Sequence, residues 1–230
     1  MKKTLVLTIA AAATAVSVVV ASTLAPTPDE QKKLTPDAVL ADLMDGNKRY
    51  MSGKLSEPNI SARIKAGTEG QYPKAIILSC IDSRVPVEQV FDQGVGDIFV
   101  SRVAGNIENV DQLGSMEFAT KVAGAKLVLV LGHEACGAVK GACDHVKLGN
   151  ITDLLANIEP AVKAVDGIDE DKRNSKNKEF VDKVIKQNVK QTVADIRSRS
   201  EILTELEKAG TIKIVGAVYS LHDGSVKLVD

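Results

Sequence analysis

Short apolar runs alternate with longer amphipathic segments along most of this chain. Four runs have the length of a strand and are rich in Ile, Val and Leu: residues 74–79, 97–103, 126–131 and 212–219. A shorter run at residues 226–229 follows a turn signal that contains Gly224. Continuous apolar runs of this length are typical of strands that are buried on both faces of a parallel sheet.

Helical periodicity fills the segments between these runs. Thr35 can cap a first helix that has Pro36 in its first turn and ends by Gly53. Further helices are predicted at residues 115–122, 135–147, 153–165 and about 178–209. Strands that alternate with helices indicate a mainly parallel sheet with helices on both faces. We therefore predict an α/β fold with a mainly parallel four-stranded sheet, a short fifth strand, helices on both faces and an extra N-terminal helix.

The N-terminus has the pattern of a targeting segment. Lys2 and Lys3 precede an uncharged run that ends in small residues, which predicts a signal peptide over residues 1–21. The protein is therefore expected to be exported, with the periplasm as its destination. The alternative is an uncleaved anchor, because the run approaches the length that spans a bilayer. After cleavage, no stable membrane partner is expected. Residues 22–33 are predicted to form a flexible tail, and residues 34–230 a single catalytic domain.

Composition narrows the class of ligand. The formal net charge of -1 gives no basic surface for nucleic acid, so a nucleic-acid partner is not expected. Trp is absent and aromatic residues make up 3% of the chain, which favours a small substrate. Three cysteines in an exported protein cannot all pair with one another, so at least one thiol is free, bound to metal or intermolecular.

Three metal-ligating side chains follow two of the predicted strands. Cys80 comes directly after the first strand, and His133 and Cys136 come directly after the third. Ligand sites of open parallel sheets lie outside the carboxyl ends of the strands, so the three side chains are expected to converge. Two thiolates and one imidazole suit zinc, and three protein ligands with an open fourth position are typical of catalytic zinc.

Asp82 and Arg84 follow Cys80 with a spacing of two, which in extended backbone points all three side chains to the same side. Asp82 could serve as the fourth zinc ligand and close the site. It could instead pair with Arg84 and accept a hydrogen bond from zinc-bound water. The alternative to both roles is an ordinary surface ion pair.

The motif Cys80-x-Asp82-x-Arg84, followed by His133-x-x-Cys136, resembles the beta-class carbonic anhydrases. The resemblance covers nearly everything after residue 21. It implies one Zn²⁺ per subunit on the two cysteines and the histidine, with Asp82 and Arg84 as a catalytic dyad. Substrate-binding residues that the resemblance implies are Gln71, Val85 and Gly105. Gln71 could equally be an ordinary polar residue of the loop before Pro73.

The resemblance implies a zinc lyase, carbonate dehydratase, that hydrates CO₂ reversibly to bicarbonate and a proton through zinc-bound hydroxide. It also implies a homodimer or homotetramer, with the first helix packed against a neighbouring subunit. One alternative is a hydrolase of carbonyl sulfide or carbon disulfide at a similar zinc site. The other is a non-catalytic protein that binds zinc or bicarbonate, which would have no need of the Asp82 and Arg84 pair.

Overall fold

Five strands form one sheet in the order β2-β1-β3-β4-β5. The structure, a computed structural model, describes residues 25–229, so the predicted signal peptide lies outside the described residues and stays a prediction. The strands are β1 (Ala75–Ser79), β2 (Ile98–Arg102), β3 (Leu127–His133), β4 (Lys213–Tyr219) and β5 (Val226–Val229). The first four are parallel, and β5 pairs antiparallel with β4. The predicted parallel sheet with a short fifth strand is confirmed.

Helices occupy both faces of the sheet. They are α1 (Pro28–Lys33), α2 (Pro36–Met51), α3 (Ile60–Gly67), α4 (Val87–Val90), α5 (Val110–Glu117), α6 (Gly137–Cys143), α7 (Ile151–Ala156), α8 (Glu159–Ala164), α9 (Lys178–Arg199) and α10 (Glu201–Lys208). The predicted cap of the N-terminal helix is confirmed, because Thr35 Oγ1 accepts a hydrogen bond from the Ala38 N–H at 3.2 Å. Among the helices within residues 25–229, none combines the length and the apolar character that crossing a bilayer requires.

The tail that was predicted to be flexible is in part a helix. Its last six residues form α1, which starts with a capping box between Thr27 and Glu30. Gln31 is buried and donates hydrogen bonds from Nε2 to the carbonyl oxygens of Pro73 and Ala123, both at 2.8 Å. The polar composition of this segment concealed the helix, because its anchor is a contact with residues far along the chain.

Two predicted helices are each divided in two. The predicted helix over residues 178–209 breaks at Ser200, which has extended backbone (φ -117°, ψ 105°) and caps α10 by accepting a hydrogen bond from the Leu203 N–H. The predicted helix over residues 153–165 is divided between α7 and α8, and Pro160 lies in the first turn of α8. Proline is tolerated there because first-turn N–H groups have no partner within the helix.

Alternate residues of the central strands face opposite layers of the core. Ile77 and Leu129 pack with α2 and α4 on one face, whereas Ile76 and Val128 pack with α5, α9 and α10 on the other. A third cluster, formed by α6, α7, α8 and the start of α9 around Phe180, covers the carboxyl ends of the strands. The end of the sheet at which the predicted metal ligands lie is therefore enclosed by apolar packing.

Helix α9 packs against two glycines of the sheet. A Cβ at Gly132 or Gly216 would be 2.6 Å or 2.5 Å from a methyl group of Val189, so the glycines on β3 and β4 make room for this side chain. Such close contacts fix the position of a helix, because protein interiors are densely packed and yield little. Since Gly132 directly precedes His133, this contact with α9 lies next to one of the predicted metal ligands.

Candidate metal centre

Two neighbouring strands and one helix start bring three ligating side chains together. Cys80 follows the last residue of β1, His133 is the last residue of β3, and Cys136 is the N-cap of α6. Because β1 and β3 are adjacent and parallel, their carboxyl ends meet. One ligand atom from each residue lies within 4.8 Å of the other two, and all three side chains are buried.

The imidazole of His133 is oriented for ligation. Its Nδ1 makes a 2.8 Å hydrogen bond with the carbonyl oxygen of Glu134, which makes Nδ1 the protonated nitrogen. Its Nε2 is buried and, within the part of the chain that the structure describes, has no hydrogen-bond partner. A buried nitrogen without a partner is costly in an apoprotein, and a metal ion would satisfy it.

The two thiols share one site. Cys80 Sγ and Cys136 Sγ are 4.0 Å apart, and the N–H of Gly105 donates to Cys80 Sγ at 3.3 Å. The hydrogen bond from Cys136 lowers the pKa of Cys80, and the hydrogen bond from the Gly105 N–H acts in the same direction. The same neighbouring sulfur, together with burial, raises the pKa of Cys136. A divalent cation is what allows both sulfurs to be thiolates at once, so the donor set fits zinc.

Asp82 is held beside this cluster by Arg84. Its Oδ1 accepts from the backbone N–H and Nε of Arg84, both at 2.9 Å, and its Oδ2 accepts from Nη2 at 2.8 Å. These hydrogen bonds lower the pKa of Asp82, so the carboxylate is ionised at neutral pH. Asp82 Oδ2 lies 3.8 Å from His133 Nε2. The carboxylate is therefore adjacent to the cluster but is bound to arginine.

Arg102 fixes the segment that carries Cys80 and Asp82. It donates from Nε to the carbonyl oxygen of Cys80 at 2.9 Å and from Nη2 to that of Asp82 at 2.6 Å. Sequence reasoning did not assign this role, because the two acceptors are backbone atoms twenty or more positions away. A sequence signal was the position of Arg102 near the end of the second predicted strand.

The remaining predicted site residues lie in different surroundings. Gly105 contacts Cys80 Sγ, as above. Val85 is fully buried in the core beneath α2 and α4. Gln71 is exposed and precedes β1, so within this chain it lies at the opposite end of that strand from Cys80. Cys143 is buried beside α7 and α8, and burial raises its pKa to about 11.

Comparisons with known proteins agree with this geometry. Residues 75–226 match the carbonic anhydrase family. A carbonic anhydrase 2 from Mycobacterium tuberculosis is 36% identical over 201 residues, which cover 85% of this chain and 93% of that protein. Solved beta-carbonic anhydrases share the fold. One from Aspergillus fumigatus has a TM-score of 0.64 and 20% identity, and the match covers 84% of this chain and 90% of the Aspergillus chain. A tetrameric one from Sordaria macrospora has a TM-score of 0.62 and 20% identity, and the match covers 84% of this chain and 94% of the Sordaria chain. The chain therefore belongs to the beta class of the carbonic anhydrase family.

Proposed function

We propose that this protein hydrates CO₂ reversibly to bicarbonate and a proton, with one zinc ion per subunit held by Cys80, His133 and Cys136. The observation that carries the proposal is the buried cluster of two sulfurs and one imidazole nitrogen within 4.8 Å, in which the nitrogen has no hydrogen-bond partner among residues 25–229. Three ligands of this kind leave a fourth position open, which is the pattern of catalytic zinc. Family membership supplies the reaction.

The side chains around the cluster have separate roles in the proposed reaction. Zinc, when bound, supplies the Lewis acidity that makes hydroxide available from water near neutral pH. Asp82, ionised and beside the cluster, accepts a hydrogen bond from the attacking water and so orients it. Arg84 holds Asp82 away from the ligand atoms, which favours an open site. Arg102 holds the backbone on which both Cys80 and Asp82 lie.

Hydration of CO₂ by the purified protein is expected to accelerate as pH rises from about 6 to about 9, the range over which zinc makes hydroxide available. Arg84 holds the pKa of Asp82 below its usual range, so this carboxylate stays ionised throughout and the rise reflects the supply of hydroxide. Stopped-flow hydration measured across pH, with zinc content determined on the same sample, tests this expectation.

The control is the same protein after removal of zinc with a chelator, which should lose the activity and regain it when zinc is returned. A protein that is replete with zinc but inactive at every pH would redirect the assignment to another small substrate, such as carbonyl sulfide or carbon disulfide, or to a binding role. A flat rate profile with full activity would contradict the mechanism but not the reaction.

We also propose that the chain assembles as a homodimer or homotetramer. An apolar groove runs along the edge strand β2 and α5, and its lining includes Phe99, Val110 and Phe118. Val110 and Phe118 are 74% and 50% exposed, which is unusual for large apolar side chains so close together. Sedimentation of the purified protein should give the mass of a dimer or a tetramer, and a monomer at micromolar concentration would contradict this assembly.

A further inference from the structure

The turn at Gly105, which donates a hydrogen bond to Cys80, also accepts one from a buried asparagine. Gly105 gives its N–H to Cys80 Sγ at 3.3 Å. Its carbonyl oxygen accepts a hydrogen bond from Asn188 Nδ2 at 2.8 Å. Asn188 is only 2% exposed. A single glycine thus joins the predicted metal ligand on one side to helix α9 on the other.

The hydrogen bond from Asn188 matters because glycine itself has little preference among backbone conformations. The backbone of Gly105 is left-handed (φ 74°, ψ 13°), a region that glycine enters as readily as the others. A Cβ at this position would be 2.6 Å from Ile158, so a stiffer residue cannot replace the glycine. When the carbonyl is fixed, the torsion angles of Gly105 are restricted, and these angles set the direction of its N–H.

Asn188 is itself rigidly placed. The next residue, Val189, fills the space that Gly132 and Gly216 leave on the sheet. This contact sets the height of α9 above the carboxyl ends of β3 and β4. The amide of Asn188 therefore reaches Gly105 from a helix that cannot shift without clashing with the sheet.

We propose that Asn188 is a positioning residue of the metal centre, which holds Gly105 so that its N–H bonds the Cys80 sulfur. The inference rests on the proposed zinc site and goes beyond it by assigning a role to a residue of α9 that contacts no ligand atom. Groups that hydrogen-bond a metal ligand typically change metal affinity by about 10- to 100-fold when they are lost, and Asn188 acts through such a group, the N–H of Gly105. The same loss is expected for Asn188→Leu, which keeps the approximate size of the side chain but removes the donor.

Asn47 offers a matched control. It is also 2% exposed, and its Nδ2 donates to the carbonyl oxygen of Gly224 at 2.8 Å. It makes two further hydrogen bonds, with Val90 and Val226, so its loss should disturb the fold at least as much. Asn47→Leu thus reports the effect of general destabilisation on the metal site.

The experiment compares the zinc affinity of the full chain and its two variants by competition with a chelator. We expect a loss of about 10- to 100-fold for Asn188→Leu and a change of less than about 3-fold for Asn47→Leu, where no bond to the Cys80 turn is lost. Cobalt-substituted protein gives a second measure. The sulfur-to-cobalt charge-transfer band should shift in Asn188→Leu and stay in place in Asn47→Leu, because only the first variant alters the hydrogen bond to a ligand sulfur.

Equal affinities for the two variants, or an unshifted band in Asn188→Leu, would overturn the inference while leaving the proposed function intact. Failure of the unaltered protein to bind zinc would instead overturn the proposed function. Should Asn188→Leu not fold, the pair Asn188→Ser and Asn47→Ser replaces it. Serine is too short to make the 2.8 Å bond to Gly105, so the same contrast in affinity is expected.

Discussion

Cys136→Ala is expected to lose zinc and with it the hydration of CO₂. The cysteine supplies one of the two sulfurs in the cluster, and its side chain is buried. Partners that merely support a ligand already change metal affinity by about 10- to 100-fold, so loss of a ligand should cost more than about 100-fold. Zinc content after dialysis, measured beside stopped-flow hydration, gives the result directly.

Cys143→Ala is the matched control, because Cys143 is equally buried and lies on the helix that Cys136 caps. It is not part of the metal-ligating cluster of the described residues. Its replacement should reduce the free energy of unfolding by about 1 kcal/mol, as typical core substitutions do, and leave zinc and turnover unchanged. Equal loss of zinc in both variants would show that the proposed ligand set is wrong.

The strands and the convergence of the ligands were predictable because they depend on short-range patterns. Apolar runs specify buried strands, and a parallel sheet brings together whatever follows neighbouring strands. Cys80 and His133 could therefore be placed at one edge from their positions along the chain alone. The chemistry of two sulfurs and an imidazole favours zinc, and the resemblance to the beta-class carbonic anhydrases implies the same metal.

The features that sequence reasoning missed depend on contacts between distant backbone atoms. Gln31 anchors α1 to the carbonyl oxygens of Pro73 and Ala123, and Asn188 holds that of Gly105. Every residue has a carbonyl oxygen, so no motif marks which one a polar side chain will reach. The break at Ser200 escaped for a related reason, since serine is tolerated within helices and becomes a cap only where tertiary packing turns the chain.

Asp82→Asn is expected to reduce kcat by about 100-fold, because misplacement of a reacting group can cost this much, while zinc content stays unchanged. Both carboxylate oxygens of Asp82 accept hydrogen bonds from Arg84. An asparagine side chain has one oxygen and one NH₂ group. Its NH₂ group would face an N–H donor of the arginine, so one of the hydrogen bonds would be lost. The charge that orients water beside the cluster disappears at the same time, whereas the three metal ligands are untouched.

Asp92→Asn separates this effect from the general loss of an aspartate held by arginine. Asp92 accepts from Arg49 Nε at 2.5 Å and from the Ser56 N–H at 2.9 Å, and it lines a cleft beside Lys74, which directly precedes β1 at the end of the sheet opposite the metal ligands. This variant should lose stability but retain its kcat. If Asp82→Asn kept full turnover with zinc bound, the role of Asp82 and Arg84 would reduce to that of a surface ion pair, which contributes at most about 1 kcal/mol. Comparable losses of kcat in both variants would point to a general effect on the fold, because the two aspartates have in common only that each accepts hydrogen bonds from an arginine.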